Sequence, residues 1–369
     1  MKTDSISTRQ LCFILAFFFP IGKLIVLPSA LGGVAGGDLL LSAAAVFLLQ
    51  GAAVFAALWL LQKNQAPVSA LIGEKWGQGA GRAYSFLMGA YFLFSALYPI
   101  AEQKTYVLNV MYDPRPSFLV FFPFFLFSCY AAAKGLRCIG RSADLSLFLF
   151  PLSFLLLLVM AVGSADFTAL LPFAGAGAGA FFKGVSVTFA YCGEAAYLLG
   201  FSGYVKTEKG FLWKTMAAYA AGVVGVLVFL AVFYGIFSTV AVREFYALAK
   251  VARYYNALKT IGRVDYLFIY AIAVVHLFAL VLPVNLSVHA FADCFQTKRY
   301  GLISLIVNAV LLLVVFFTND YFTALNRVIT GVLFPVFLLF GFILPYLCPL
   351  LTIGKKEKIK EKGDTHVRE

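Results

Sequence analysis

The chain has 369 residues, of which 62% are hydrophobic and 12% charged, with a formal net charge of +12. An ordinary soluble domain carries about a quarter charged residues, and apolar runs of about 20 residues recur here from end to end. This excludes a soluble enzyme or a nucleic-acid-binding domain and calls for an all-α integral membrane protein, because helices satisfy their own backbone inside lipid.

Ten membrane-spanning helices are predicted, at 9–31, 39–62, 83–109, 116–133, 145–163, 180–204, 213–237, 264–290, 302–317 and 331–351. The opening MKTDSISTRQ is polar, and no small-residue cleavage site follows the first apolar run, so that run reads as a retained helix rather than a signal peptide. With the N-terminus in the cytoplasm, the loops bearing Lys63, Lys75, Arg82, Lys134, Arg137, Arg141, Lys206, Lys209 and Lys214 face inward. Fewer cations (Lys104, Arg115, Arg243, Lys250, Arg253, Lys259, Arg263 and Arg327) fall outside. That asymmetry is the positive-inside rule, and it accounts for the net charge without nucleic acid.

The first span, QLCFILAFFFPIGKLIVLPSALGG, is interrupted. Pro20 lacks a donor and clashes with the preceding turn, Gly22 permits unwinding, and Lys23 places a charge inside the apolar run. The third span carries Tyr91, Ser95, Tyr98 and Glu102 at spacings of four, three and four, one stripe of a helix, with Gln103 beside it. After the fifth span the Gly-Ala alternation through Gly175, Gly177 and Gly179 reads as a flexible outer connection. The sixth span contains Tyr191-Cys192-Gly193-Glu194, a second break beside a second charge. The eighth holds His276, Asn285, Ser287 and His289 around Pro283. The last segment, 354–369, is a basic cytoplasmic tail after a single transmembrane domain, 1–353.

Splitting the chain between the fifth and sixth spans gives repeats of about 9–163 and 180–351, each with five spans. An odd number forces opposite orientations, so the expected architecture is a 5+5 inverted repeat whose first helix is discontinuous in each half. Intramembrane charges normally face protein or a water-filled cavity. A broken helix exposes unpaired N–H groups on one side and carbonyls on the other, which complement the carboxylate and ammonium of an amino acid. The candidate ligand-binding residues are therefore Gly22, Lys23, Gly32, Tyr91, Tyr98, Tyr191, Gly193, Glu194 and Asn285. Two readings stand for the glycines, site or close helix packing. Two stand for Lys23 and Glu194: mutual neutralisation, or direct roles at a ligand's carboxylate and ammonium. The six cysteines are scattered and indicate no metal. No nucleotide-binding loop, zinc-protease motif or nucleophile elbow is present, so no enzyme and no cofactor are expected.

Several stretches, in order, resemble the spore germination permease family, the B subunits of nutrient germinant receptors. They are ISTRQLCFILAFFFPIGKLIVLP, AAAKGLRCIGRSADL, ADFTALLPF, YCGEAAYLLGF and IGRVDYLFIYAIAV. The resemblance implies the amino acid–polyamine–organocation fold of LeuT, with spans one, three, six and eight around the site. It also implies a sensor of amino acids or similar nutrients in the spore inner membrane, working with an A subunit and a C lipoprotein. By position, Glu194 and Gly193 match the family's acidic residue and preceding glycine, and Gly22 its first-span break. Lys23 stands where the family has a small or hydroxyl residue, and Gly200-Phe201-Ser202 where it has a proline.

Overall fold

The computed structural model describes residues 5–64, 66–111, 117–172, 174–254, 265–317 and 334–348. The tail at 354–369 and the cations Arg115, Lys259, Arg263 and Arg327 lie outside the described residues. Six described helices are long and apolar enough to cross a membrane: Leu27–Lys63 (a continuous run that includes a short turn), Gln78–Leu108, Leu136–Val162, Phe211–Arg243, Phe268–Cys294 and Tyr300–Phe317. Large apolar side chains such as Leu48, Phe148, Trp213 and Phe317 stand exposed on their outer faces. Large apolar side chains exposed along helices of this length call for lipid, and the protein is an integral multi-pass membrane protein.

The first segment starts from a capping box. Ser7 Oγ accepts from Gln10 N at 3.3 Å, and Gln10 Oε1 accepts from Ser7 N at 3.1 Å. The Ile-Ser-x-x-Gln opening of the ISTRQLC stretch is thus a helix start. Gln10 Nε2 then donates to Asp144 Oδ2 at 2.8 Å, close over Gly140, where an added Cβ would lie 2.7 Å from Gln10 Oε1. Ile6–Ser7 also pairs in parallel with Val205–Lys206, a two-strand contact that nothing in the local pattern announces. Arg9 reaches Asp144 as well. The start of the first segment is thereby fixed to the turn after the sixth and to the Leu136–Val162 helix.

The Asp265–Cys294 helix packs along the Gln78–Met111 helix, and the Phe211–Phe237 helix along the Leu39–Lys63 helix. Between these pairs run the two interrupted segments. The Gly-Ala connection, expected to be free, is tied down: Ala176 N donates to buried Asp38 Oδ2 at 2.9 Å. Two short helices lie outside the ten predicted spans: Val68–Trp76, against the Gln78–Met111 helix, and Ala247–Tyr254, against the Asp265–Cys294 helix. Lys104, counted above among the outer cations, is buried in its helix and donates to Val315 O at 2.8 Å.

Candidate functional site

The first break runs over Gly22–Val26. A π-helical stretch, Ile14–Phe18, precedes Pro20, Gly22–Leu24 is a 3₁₀ turn, and the α-helix resumes at Leu27–Ala35. The π-turn absorbs the residue that proline's missing donor leaves over. The second break runs from Tyr191 to Glu194, between helices Ala178–Ala190 and Ala195–Gly200. Gly193 alone, without proline, suffices there, because side chains take up the freed carbonyls.

Lys23 and Glu194 form an ion pair across the two breaks, with side chains 4% and 18% exposed. Lys23 Nζ also donates to Phe19 O at 2.8 Å, four residues back, replacing a backbone donor. Gln50 Nε2 donates to Glu194 Oε2 at 2.8 Å and to Cys192 O at 3.4 Å. Tyr219 OH in turn donates to Phe47 O at 2.9 Å and lies 3.3 Å from Gln50 Oε1. Both oxygens of Glu194 are thus engaged, and a buried charge pair held this way avoids the full penalty of desolvation.

On the other side of the breaks lies a cavity of about 80 Å³, lined by Gly22, Ser95, Tyr98, Pro99, Glu102, Ala190, Tyr191, Gly193, Glu194 and Tyr197. The Tyr98 and Tyr191 hydroxyls are 3.1 Å apart. Tyr197 OH donates to Ser95 Oγ at 3.1 Å, and Ser95 Oγ to Phe92 O at 2.9 Å. Tyr91 OH donates to Gly193 O at 2.9 Å, with its ring stacked on Phe340 at 5.3 Å.

Of the nine residues picked from sequence, Gly22, Tyr98, Tyr191, Gly193 and Glu194 line this cavity. Lys23 and Tyr91 touch it through Glu194 and Gly193. The other two sit elsewhere. An added Cβ at Gly32 would lie 2.9 Å from Ala241 Cβ, so this glycine lets two segments pack closely, away from the cavity. Asn285 Nδ2 faces Ala131 O at 3.4 Å, at the end of the Ser117–Lys134 helix. His276 bonds Gln103 Oε1 through Nδ1 at 2.7 Å, and Nε2 would lie 3.9 Å from a Cβ at Gly22.

Gln50, Tyr197 and Tyr219 were not among the candidates. Gln50 had one signal, an amide in the middle of an apolar helix, 1% exposed, since a buried amide needs partners. The two tyrosines had none, because aromatic residues fill every span.

No curated protein matches the chain in sequence. Among solved structures, its fold is similar to that of MhsT in complex with L-phenylalanine, with a TM-score of 0.68 at 17% identity, over 89% of this chain and 87% of that one. At that identity the likeness concerns the fold, the LeuT type. A model of the spore germination protein family matches residues 5–323. The first-segment break, the capped lead into it and the sixth-segment glycine and glutamate all fall inside that match, and the chain belongs to the spore germination protein family.

Proposed function

We propose that the protein is the permease-like subunit of a nutrient germinant receptor, binding an amino acid or similar small nutrient between its two interrupted segments. The observation that carries the reading is the cavity at the paired breaks, with Lys23 and Glu194 joined beside it. Family membership supports a germination role, and the solved relative is a protein captured with an amino acid. In this reading the chain crosses the membrane ten times as a 5+5 inverted repeat in one transmembrane domain, both termini cytoplasmic, in the spore inner membrane. It has no enzymatic step. Ligand binding shifts the two repeats relative to one another, and the A subunit and C lipoprotein receive that shift.

A secondary amino-acid transporter is the second reading, favoured by the fold it shares with MhsT. Uptake of a labelled amino-acid panel into proteoliposomes separates the two, with ligand-induced thermal stabilisation of the same protein as the binding control. Stabilisation without uptake supports the receptor. Accumulation that Glu194→Gln abolishes supports the transporter and removes the receptor reading.

A further inference from the structure

The central cavity contains two carboxylates, and they are not equivalent. Glu194 is satisfied by Lys23 and Gln50. Glu102, from the Gln78–Met111 helix, lines the same cavity and is 3% exposed. Its Oε1 is buried with no hydrogen-bond partner among the described residues, and no ion pair to it occurs among them. A buried carboxylate without a partner is costly, and a group that must pair with a cation is often completed by the ligand.

Several acceptors at the breaks are already in use. Phe19 O accepts from Lys23, Cys192 O from Gln50 and Gly193 O from Tyr91. Ser95 Oγ accepts from Tyr197, and the Tyr98 and Tyr191 hydroxyls face each other. Lys23 and Glu194 pair with each other, which leaves Glu102 as the acidic group of the lining without an ion-pair partner among the described residues. An ammonium entering this cavity therefore meets an unpartnered carboxyl on the third span.

Resting on the binding role proposed above, we propose that Glu102 recognises the ammonium of the ligand, so that the site selects small molecules carrying a primary amine. The amine donates to the carboxylate, and the rest of the molecule lies against Tyr98, Tyr191 and Tyr197. Removing one charged hydrogen-bond partner of this kind weakens binding roughly 10- to 100-fold.

The test uses the full chain in nanodiscs, with thermal stabilisation titrated for a panel of L-amino acids, their decarboxylated amines and their deaminated acids: L-alanine with ethylamine and propionate, L-phenylalanine with phenethylamine and 3-phenylpropionate, and so on. Amine-bearing members are expected to stabilise the wild type, the matching acids are not, and Glu102→Gln is expected to lose roughly 10- to 100-fold in apparent affinity. Equal titrations of wild type and Glu102→Gln overturn the inference and leave the proposed function standing. So does an acid that binds the wild type as tightly as its matching amine, a result that needs no variant. Stabilisation by sodium over N-methylglucamine that Glu102→Gln removes assigns the carboxylate to an alkali cation and likewise overturns it. No response of the wild type to any panel member overturns both this inference and the proposed function.

Discussion

Lys23 and Glu194, 171 residues apart, meet across two helix breaks and join the first interrupted segment to the second. Each would be a liability alone at this depth, and together they fix where one break sits against the other. A buried pair of this kind contributes little net stability compared with an apolar replacement, but removal of one partner leaves a charge with no counterpart. The pair thus acts more as a register lock than as a source of stability.

Lys23→Met and Glu194→Gln separately are expected to destabilise the protein, the former by about 3 kcal/mol or more, because each leaves one buried ion facing a neutral group. The double variant is expected to recover most of the loss. Thermal unfolding of all four proteins in the same detergent forms the cycle. Additive losses would show that the two charges act independently, against the lock.

Gln50 holds Glu194 Oε2 and Cys192 O at once. Gln50→Leu keeps the volume and removes both donors, with an expected cost of about 1–3 kcal/mol. Gln50→Glu is expected to be worse, since it sets a second carboxylate beside Glu194. The ordering of the two variants in a thermal melt is the check. A glutamate variant as stable as wild type would mean that Gln50 only fills space.

Two glycines beside the first break separate packing from binding. An added Cβ at Gly222 would lie 2.7 Å from Pro20 Cγ and 3.1 Å from the Ala16 and Leu15 carbonyls, none of which can swing away. Gly222→Ala is therefore expected to cost about 1–3 kcal/mol through overpacking. At Gly22 the nearest atom would be His276 Nε2 at 3.9 Å, an ordinary contact, yet Gly22 lines the cavity. Gly22→Ala is expected to melt close to wild type and to change ligand-induced stabilisation instead. If the two variants lose the same stability, the assignment of roles is wrong.

The breaks were legible because physics punishes what marks them. A lysine, a glutamate and a proline in apolar runs demand a reason, and Pro20, Lys23 and Glu194 each supplied one. The Tyr91–Ser95–Tyr98–Glu102 stripe was also readable, since helical spacing fixes a shared face. What the stripe faces was not readable. Spacing places Asn285 on a helix but not opposite Ala131 O, and it cannot tell Gly32, which packs on Ala241, from Gly22, which opens a cavity. The pairing of Ile6–Ser7 with Val205–Lys206 and the clamp by Gln50 join segments far apart in the chain, and no local period encodes such a contact.

Tyr91 tests how the second break persists without proline. Its hydroxyl donates to Gly193 O at 2.9 Å, while its ring stacks on Phe340, so one side chain both satisfies the freed carbonyl and packs the segment behind it. Tyr91→Phe keeps the ring and deletes the donor. The expected loss is about 1 kcal/mol, the value of a neutral hydrogen bond, since Ala196 N still reaches Gly193 O at 3.4 Å. Tyr91→Ala also leaves a cavity beside Phe340 and is expected to cost about 3–5 kcal/mol, in the range of large-to-small aromatic truncations. Amide hydrogen exchange over residues 190–197 is expected to rise in Tyr91→Phe and to leave the Leu136–Val162 helix unchanged, since the break opens locally before the fold does. Unchanged exchange at the break with an equal fall in melting temperature would mean that the tyrosine stabilises the bundle as a whole and that Gly193 holds its conformation unaided.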